Sequence, residues 1–279
     1  MNEEKIKVKD ILALKNKRKI TMLTAYDYPL ASIVDKAGID MILVGDSLAN
    51  VVLGLDSTTK VGMTEMLIAA SAVTRAVKHA LVVGDMPYES YQTNPDDSVK
   101  NARRFIDEAK CDSVKLEWFD KCLEVTEKII KAGIPVMGHI GLTPQTADKI
   151  GGFKVQGKDA EAAKRLIEQA SELERLGCFA IVMECVPDKI AQLITKKLKI
   201  PTIGIGAGAQ CDGQVLVIHD MLGLFERYTP KFVKKYAQLT LVIQKAVEEY
   251  KREVEGGKFP DAGHSFSIKE EELKKLNER

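Results

Sequence analysis

What this sequence does without narrows its chemistry before any motif is read. It has no charge of one sign to spare, because 41 Lys and Arg stand against 40 Asp and Glu. No net field therefore draws the chain to nucleic acid or an anionic membrane. No apolar run approaches the roughly 18–20 residues of a membrane span, and the opening Met1-Asn2-Glu3-Glu4-Lys5 lacks the apolar centre of a secretory signal. Five cysteines, Cys111, Cys122, Cys178, Cys185 and Cys211, contain no C-x-x-C pair. An odd, scattered set suits reduced thiols in the cytoplasm better than a disulfide framework, and such cysteines serve more often as small buried apolar groups than as nucleophiles. The expectation is a cytoplasmic protein with no nucleic-acid and no membrane partner.

What is present is a regular alternation. The chain has 279 residues and is 45% hydrophobic, enough for a sizeable core. Short apolar runs at 20–27, 41–44, 80–87, 113–117, 134–141, 178–186, 201–208 and 214–221 read as buried strands. Between them lie helical patterns: a segment reaching Gly38, 64–79, one capped by Asn94 with Pro95, Asp96 and Asp97 in its first turn, 121–131, 158–176 ended by Gly177, 188–198, and 229–253 opened by Thr229-Pro230. A short apolar helix at 10–14 precedes the first strand, and Ser267-Ile268-Lys269-Glu270 has the capping-box form of a solvated helix in the tail. About eight strand-then-helix units without a linker imply a single α/β domain over 1–279. A parallel (β/α)8 TIM barrel at about 18–255 is the expected architecture, with an extra N-terminal helix and a C-terminal helical extension at 256–279. An open doubly wound sheet is the alternative.

Two of the strands end in the same way, Val44-Gly45-Asp46-Ser47 and Val83-Gly84-Asp85-Met86. An acid directly after a strand is aimed at whatever lies off the C-terminal end, where barrels of this kind keep their sites. Lys115 and Glu117, His139, Glu184, the 204–208 glycine turn and His219-Asp220 collect at the same end. Several carboxylates converging with one lysine repel one another unless a cation joins them, and oxygen ligands without matching sulfur favour a hard ion, most simply Mg2+. Against this, Asp46 and Asp85 are also well placed to cap the helices that follow. Lys115 and Glu117, two apart on a strand, point the same way; they suit a substrate carboxylate and a metal, or a plain Lys–Glu pair. Glu184, among Met183, Cys185 and Val186, sits where burial raises a carboxyl toward general-base range. His139 is open to three readings: metal ligand, substrate contact or packed histidine. The 204–208 turn lacks the G-x-G-x-x-G spacing of a dinucleotide loop.

With these residues in hand, the chain resembles the ketopantoate hydroxymethyltransferase (3-methyl-2-oxobutanoate hydroxymethyltransferase) family. The matching pieces are Thr24-Ala25-Tyr26-Asp27-Tyr28-Pro29, Val44-Gly45-Asp46-Ser47, Gly84-Asp85-Met86-Pro87, Val114-Lys115-Leu116-Glu117, Gly138-His139-Ile140-Gly141-Leu142-Thr143-Pro144-Gln145, the 151–157 stretch Gly-Gly-Phe-Lys-Val-Gln-Gly, Glu184-Cys185-Val186-Pro187 and His219-Asp220-Met221-Leu222-Gly223. They run in order over nearly the whole chain. The resemblance implies hydroxymethyl transfer from 5,10-methylenetetrahydrofolate to 3-methyl-2-oxobutanoate, giving 2-dehydropantoate for pantothenate and coenzyme A synthesis. It implies Mg2+ on Asp46, Asp85 and Glu117, the oxo acid against Asp46, Ser47, Asp85, Lys115 and His139, and Glu184 as proton acceptor. It further implies a cytoplasmic homo-oligomer, usually a decamer, that exchanges its C-terminal helix. Trp118 and Phe119 replace two glycines usual in the family, and Glu89 stands where a small residue is common. A Mg2+-dependent carbon–carbon lyase would share the barrel and its chemistry, but its K-K-C-G-H loop is absent here. A non-catalytic metabolite-binding barrel is the remaining alternative.

Overall fold

The computed structural model describes residues 4–93, 95–150 and 154–277. Eight parallel strands close into a barrel in chain order: β1 (Ile20–Thr24), β2 (Met41–Val44), β3 (Leu81–Asp85), β4 (Ser113–Glu117), β5 (Val136–Gly141), β6 (Ala180–Glu184), β7 (Thr202–Ile205) and β8 (Gly213–Leu216). Closure is direct, with Ile20 of β1 in register with Gly213 of β8. The open-sheet alternative is thereby excluded. The helices are α1 (Val8–Leu14), α2 (Tyr28–Lys36), α3 (Leu48–Val51), α4 (Met63–Ala76), α5 (Ser98–Asp107), α6 (Cys122–Lys131), α7 (Ala160–Leu176), α8 (Asp188–Lys197), α9 (Ile218–Leu222), α10 (Leu239–Glu255) and α11 (Glu270–Asn277). None of them is long and apolar enough to cross a membrane. The expected Asn94 cap and the residues Gly151, Gly152 and Phe153 lie outside the described residues.

The strands read in sequence as unbroken apolar runs because both of their faces are buried. Side chains alternate across each strand. Met41, Leu43, Leu81, Val83, Met137, Val182 and Ile203 fill the barrel interior. Ile42, Val44, Val82, Val114, Leu116 and Ile181 pack outward into the layer beneath the helices. Helix α1 closes the N-terminal end, where Ile11 is fully buried in the interior cluster and Lys15 Nζ pairs with Asp212 Oδ2 at 2.6 Å. At the opposite end the interior positions change character. Thr24, Asp85, Lys115, Glu117, His139 and Glu184 face inward near the C-terminal ends of their strands, so apolar filling below gives way to a polar mouth above.

Two sequence expectations are corrected by the geometry. The last strand stops at Leu216 rather than Met221, since the Ile218 N–H is taken by Thr24 Oγ1 at 3.0 Å and the chain turns into α9, ended by Gly223 at φ 66°. The long helix expected from Thr229 begins instead at Leu239. Before it the chain folds back, with the Tyr236 N–H donating to Met221 O at 2.8 Å and Phe232 packing on the interior cluster. Nor does every strand have its helix: β7 runs into β8 through the 206–212 turn, which relies on Gly206 and Gly208 at positive φ. Helix α10 buries none of its residues and presents Leu241, Val242, Ile243, Val247, Tyr250 and Val254 outward.

Candidate active site

The polar mouth opens into a cavity of about 610 Å3 at the C-terminal ends of the strands. Strand register sets its geometry, placing Asp85 opposite Lys115, Glu117 opposite His139, and Gly141 opposite Glu184. Lys115 Nζ lies 2.8 Å from Asp85 Oδ1 and 3.3 Å from His139 Nδ1. The alternative of a plain Lys115–Glu117 pair is thus set aside, since lysine reaches across strands instead of along its own. An ammonium only donates, so His139 Nδ1 accepts and the ring's proton sits on Nε2. That nitrogen faces Glu184 Oε2 at 3.4 Å. Burial, reinforced by Lys115, holds the imidazole well below its usual pKa, so the ring is neutral.

Neither strand-end acid is a helix cap. Asp85 Oδ2 accepts the Asp46 N–H at 3.1 Å, and Asp46 Oδ2 accepts from Gln145 Nε2 at 3.1 Å. Ser47 precedes α3 without capping it, and its hydroxyl is bonded to the buried Tyr26 OH at 2.8 Å. The mouth thus brings together Asp46, Ser47, Asp85, Lys115, Glu117, His139 and Glu184 around one cavity, which Asp220 also lines and His219 does not.

Sequence reading missed the layer behind them. Gln145, in the 3-10 turn Pro144–Ile150, donates its backbone N–H to Glu117 Oε2 at 3.0 Å while its amide holds Asp46. Tyr91, fully buried, donates to Gln145 Oε1 at 2.6 Å and accepts the Glu117 N–H at 3.0 Å. Phe119 packs edge-on against the Tyr91 ring, centroids 5.3 Å apart, which gives one of the two unusual loop residues a supporting place. Glu89 is exposed. No spacing rule separates a bridging glutamine from a solvated one, so only the resemblance motif pointed at Gln145. Cys185, beside Glu184, takes a left-handed φ of 49°, a strained conformation of the kind functional sites hold. Burial pushes its thiol up to about 11, which argues against a nucleophile.

Electrostatics dominate the mouth. Burial pushes the Asp85 carboxyl up to about 7 against the pull of Lys115, and Glu184 up to about 8. Burial and the neighbouring Asp46 raise Glu117 as well, while the surrounding carboxylates outweigh burial and keep Lys115 charged. Among the described residues no three His, Cys, Asp or Glu side chains already stand as a ready-made metal cage. Yet Asp85 Oδ1 and Glu117 Oε1 are buried without a hydrogen-bond donor, Lys115 serving the former as a charge partner only. That arrangement fits a hard ion that takes oxygen ligands from the carboxylates and completes its shell with water and ligand oxygens.

A family model described as ketopantoate hydroxymethyltransferase matches residues 5–262. The chain is 55% identical over 275 residues to the 3-methyl-2-oxobutanoate hydroxymethyltransferase of Syntrophobacter fumaroxidans, covering 99% of this chain and 98% of that protein. It is 57% identical over 262 residues to the protein of the same name from Syntrophomonas wolfei, covering 94% and 95%. Among solved structures, phosphoenolpyruvate phosphomutase from Streptomyces platensis subsp. rosaceus superposes with a TM-score of 0.61 at 16% identity, covering 98% and 96%. A 2,3-dimethylmalate lyase of the PEP mutase/isocitrate lyase superfamily gives 0.61 at 13%, covering 97% and 91%. At those identities the likeness is one of fold.

The raised carboxyls set a stability prediction for the ligand-free protein. A carboxyl with a folded pKa above its unfolded value near 4 binds its proton more tightly when folded, so stability is greatest at low pH and is lost as pH rises toward 8. The thermal midpoint in EDTA is expected to fall between pH 5 and pH 9, and Glu184→Gln to make that fall shallower. Parallel wild-type and variant curves in differential scanning fluorimetry would contradict the assignment.

Proposed function

The chain belongs to the ketopantoate hydroxymethyltransferase family, and from that membership we propose that it transfers a hydroxymethyl group from 5,10-methylenetetrahydrofolate to 3-methyl-2-oxobutanoate at the barrel mouth. The product is 2-dehydropantoate, a precursor of pantothenate and coenzyme A, and one water supplies its hydroxyl oxygen as tetrahydrofolate leaves. The observation that carries this reading is the joint placement of Glu184, Lys115 and the Asp46–Asp85–Glu117 set around one cavity.

Glu184 takes the proton from C3 of the oxo acid, next to its ketone. Its carboxyl, held near the neutral range by burial, is matched to taking and returning a proton. His139 Nε2 lies 3.4 Å from its Oε2, so the neutral ring borders the accepting carboxyl. Lys115 supplies positive charge for the substrate carboxylate, and Ser47, steadied by Tyr26, a hydroxyl donor. Mg2+ would be held by Asp46, Asp85 and Glu117 and would supply Lewis-acid polarisation of the ketone. The Gln145–Tyr91 pair keeps two of those carboxylates in place before any ligand arrives. Holding two substrates in one small cavity contributes the orientation that a bimolecular carbon–carbon bond formation needs.

We also propose a cytoplasmic homo-oligomer, a decamer on the family pattern. Five free thiols suit a reducing compartment. The outward apolar face of α10 supports helix exchange, since such a face ordinarily marks an interface. In multi-angle light scattering the intact chain is expected to run as one species of about ten subunits, and a chain ending before Leu239 as a much smaller one. A monomeric intact chain would overturn this.

For the chemistry, Glu184→Gln and Asp85→Ala are each expected to lower turnover at least a hundredfold, the scale of losing a general base or metal ligand. Formation of 2-dehydropantoate from the two substrates should stop in EDTA and resume with added Mg2+. A glutamine variant that keeps most of its activity would sink the role of Glu184.

A further inference from the structure

The cavity has two unlike ends. Its ionic end is built from β2 to β6. Its other end, formed by β7, β8 and the fold-back segment, is mainly apolar, with Ile205, Val215, Phe225, Tyr228 and Phe232 among its walls and Arg227, held by Gly54 O, at its edge. Beside these walls stands the carboxylate of Asp220. Asp220, on α9, is only 8% exposed and lines the cavity. Among the described residues its side chain has neither a hydrogen bond nor an ion pair. The cation whose charge reaches it is Lys235. Its own charge reaches Tyr26, whose hydroxyl holds Ser47, so it borders the ionic end without belonging to it. In the closed strand order β1 and β2 separate β8 from β3, which sets Asp220 apart from the Asp85 and Glu117 strands.

A carboxylate that meets the cavity and accepts no protein donor is free to accept N–H groups from a ligand. The ligand that suits this place presents ring faces to the aromatic walls and carries two parallel N–H groups on one edge. The reduced pterin ring of the one-carbon donor has that edge, formed by the ring N3–H and the exocyclic 2-amino group. We propose that Asp220 is the anchor of the donor's pterin ring, its two oxygens accepting N3–H and the 2-amino group while the aromatic side chains of the fold-back segment pack against the ring faces. This rests on the transferase reading above. It divides the cavity by substrate: the oxo acid at the ionic end, the pterin at the apolar end, with the carbon to be transferred between them. A cavity of about 610 Å3 is of the size that encloses small-molecule ligands. A second cleft of about 530 Å3, lined by Tyr88, Trp118 and Phe119, lies on the far side of the 141–146 segment. It offers aromatic walls but no buried unpaired carboxylate.

Steady-state kinetics with both substrates test the assignment. Asp220→Asn should raise KM for 5,10-methylenetetrahydrofolate by about tenfold to a hundredfold, the worth of a charge-assisted pair of hydrogen bonds, while KM for 3-methyl-2-oxobutanoate moves less than about threefold. Wild-type enzyme should bind tetrahydrofolate at least tenfold more tightly than its 2-desamino-2-methyl analogue, a comparison that stands even if the variant fails to fold. Equal binding of the two, or a donor KM within twofold of wild type in Asp220→Asn, overturns the proposal. So does a donor KM that responds to Trp118→Ala and not to Asp220→Asn, which would put the ring in the second cleft. If wild-type enzyme neither transfers the one-carbon unit nor exchanges the C3 hydrogen, the transferase reading falls and takes this proposal with it; intact exchange with an insensitive donor KM removes Asp220 alone.

Discussion

One ammonium shares the barrel mouth with four carboxyls. Asp46, Asp85, Glu117 and Glu184 surround Lys115 inside a cavity where all but Glu184 are almost wholly removed from water. At the separations involved, like charges repel far more strongly here than in solvent, so the full set cannot ionise around a single lysine. The mouth resolves this by holding protons on carboxyls that would ordinarily have lost them. A bound divalent cation and an anionic substrate would resolve it differently, by balancing charge with charge. The arrangement is therefore unfavourable on its own and matched to its proposed ligands, which is how binding sites of this kind store selectivity.

The barrel makes that concentration of charge possible. Hydrogen-bond register between β3, β4, β5 and β6 fixes Asp85, Lys115, Glu117, His139 and Glu184 relative to one another without any loop in between. Sites carried on strands hold their geometry better than sites carried on loops. Of the loop residues that support it, Gln145 is tied down at both its backbone and its amide, and Tyr91 holds it in turn. The apolar side of the cavity is walled instead by short α9 and the irregular 224–238 segment.

The strands and their ends were legible in the sequence for a plain reason. A parallel strand buried on both faces has to be apolar, so a charged residue at its tip stands out. Asp46, Asp85, Lys115, Glu117, His139 and Glu184 could each be named on that ground, and the structure gathers them with Ser47. What sequence could not convey was partnership. Lys115 pairs with Asp85 through register between strands, whereas spacing along one strand suggested Glu117. Gln145 and Tyr91 carry no charge to betray them, and they act through side-chain geometry that only the folded chain creates. The end of β8 was misjudged because His219 and Asp220 continue an apolar run whose ladder is broken by Thr24, a residue nearly two hundred positions away in sequence.

The proposed chemistry turns on Glu184 removing a proton from C3 of the oxo acid at a mouth that would hold a divalent cation. Proton NMR of 3-methyl-2-oxobutanoate in D2O, with enzyme and without folate, reads that step alone. The expected result is Mg2+-dependent loss of the C3 hydrogen signal, abolished by EDTA and by Glu184→Gln. Signal loss that is indifferent to EDTA, or that persists in the glutamine variant, would contradict it.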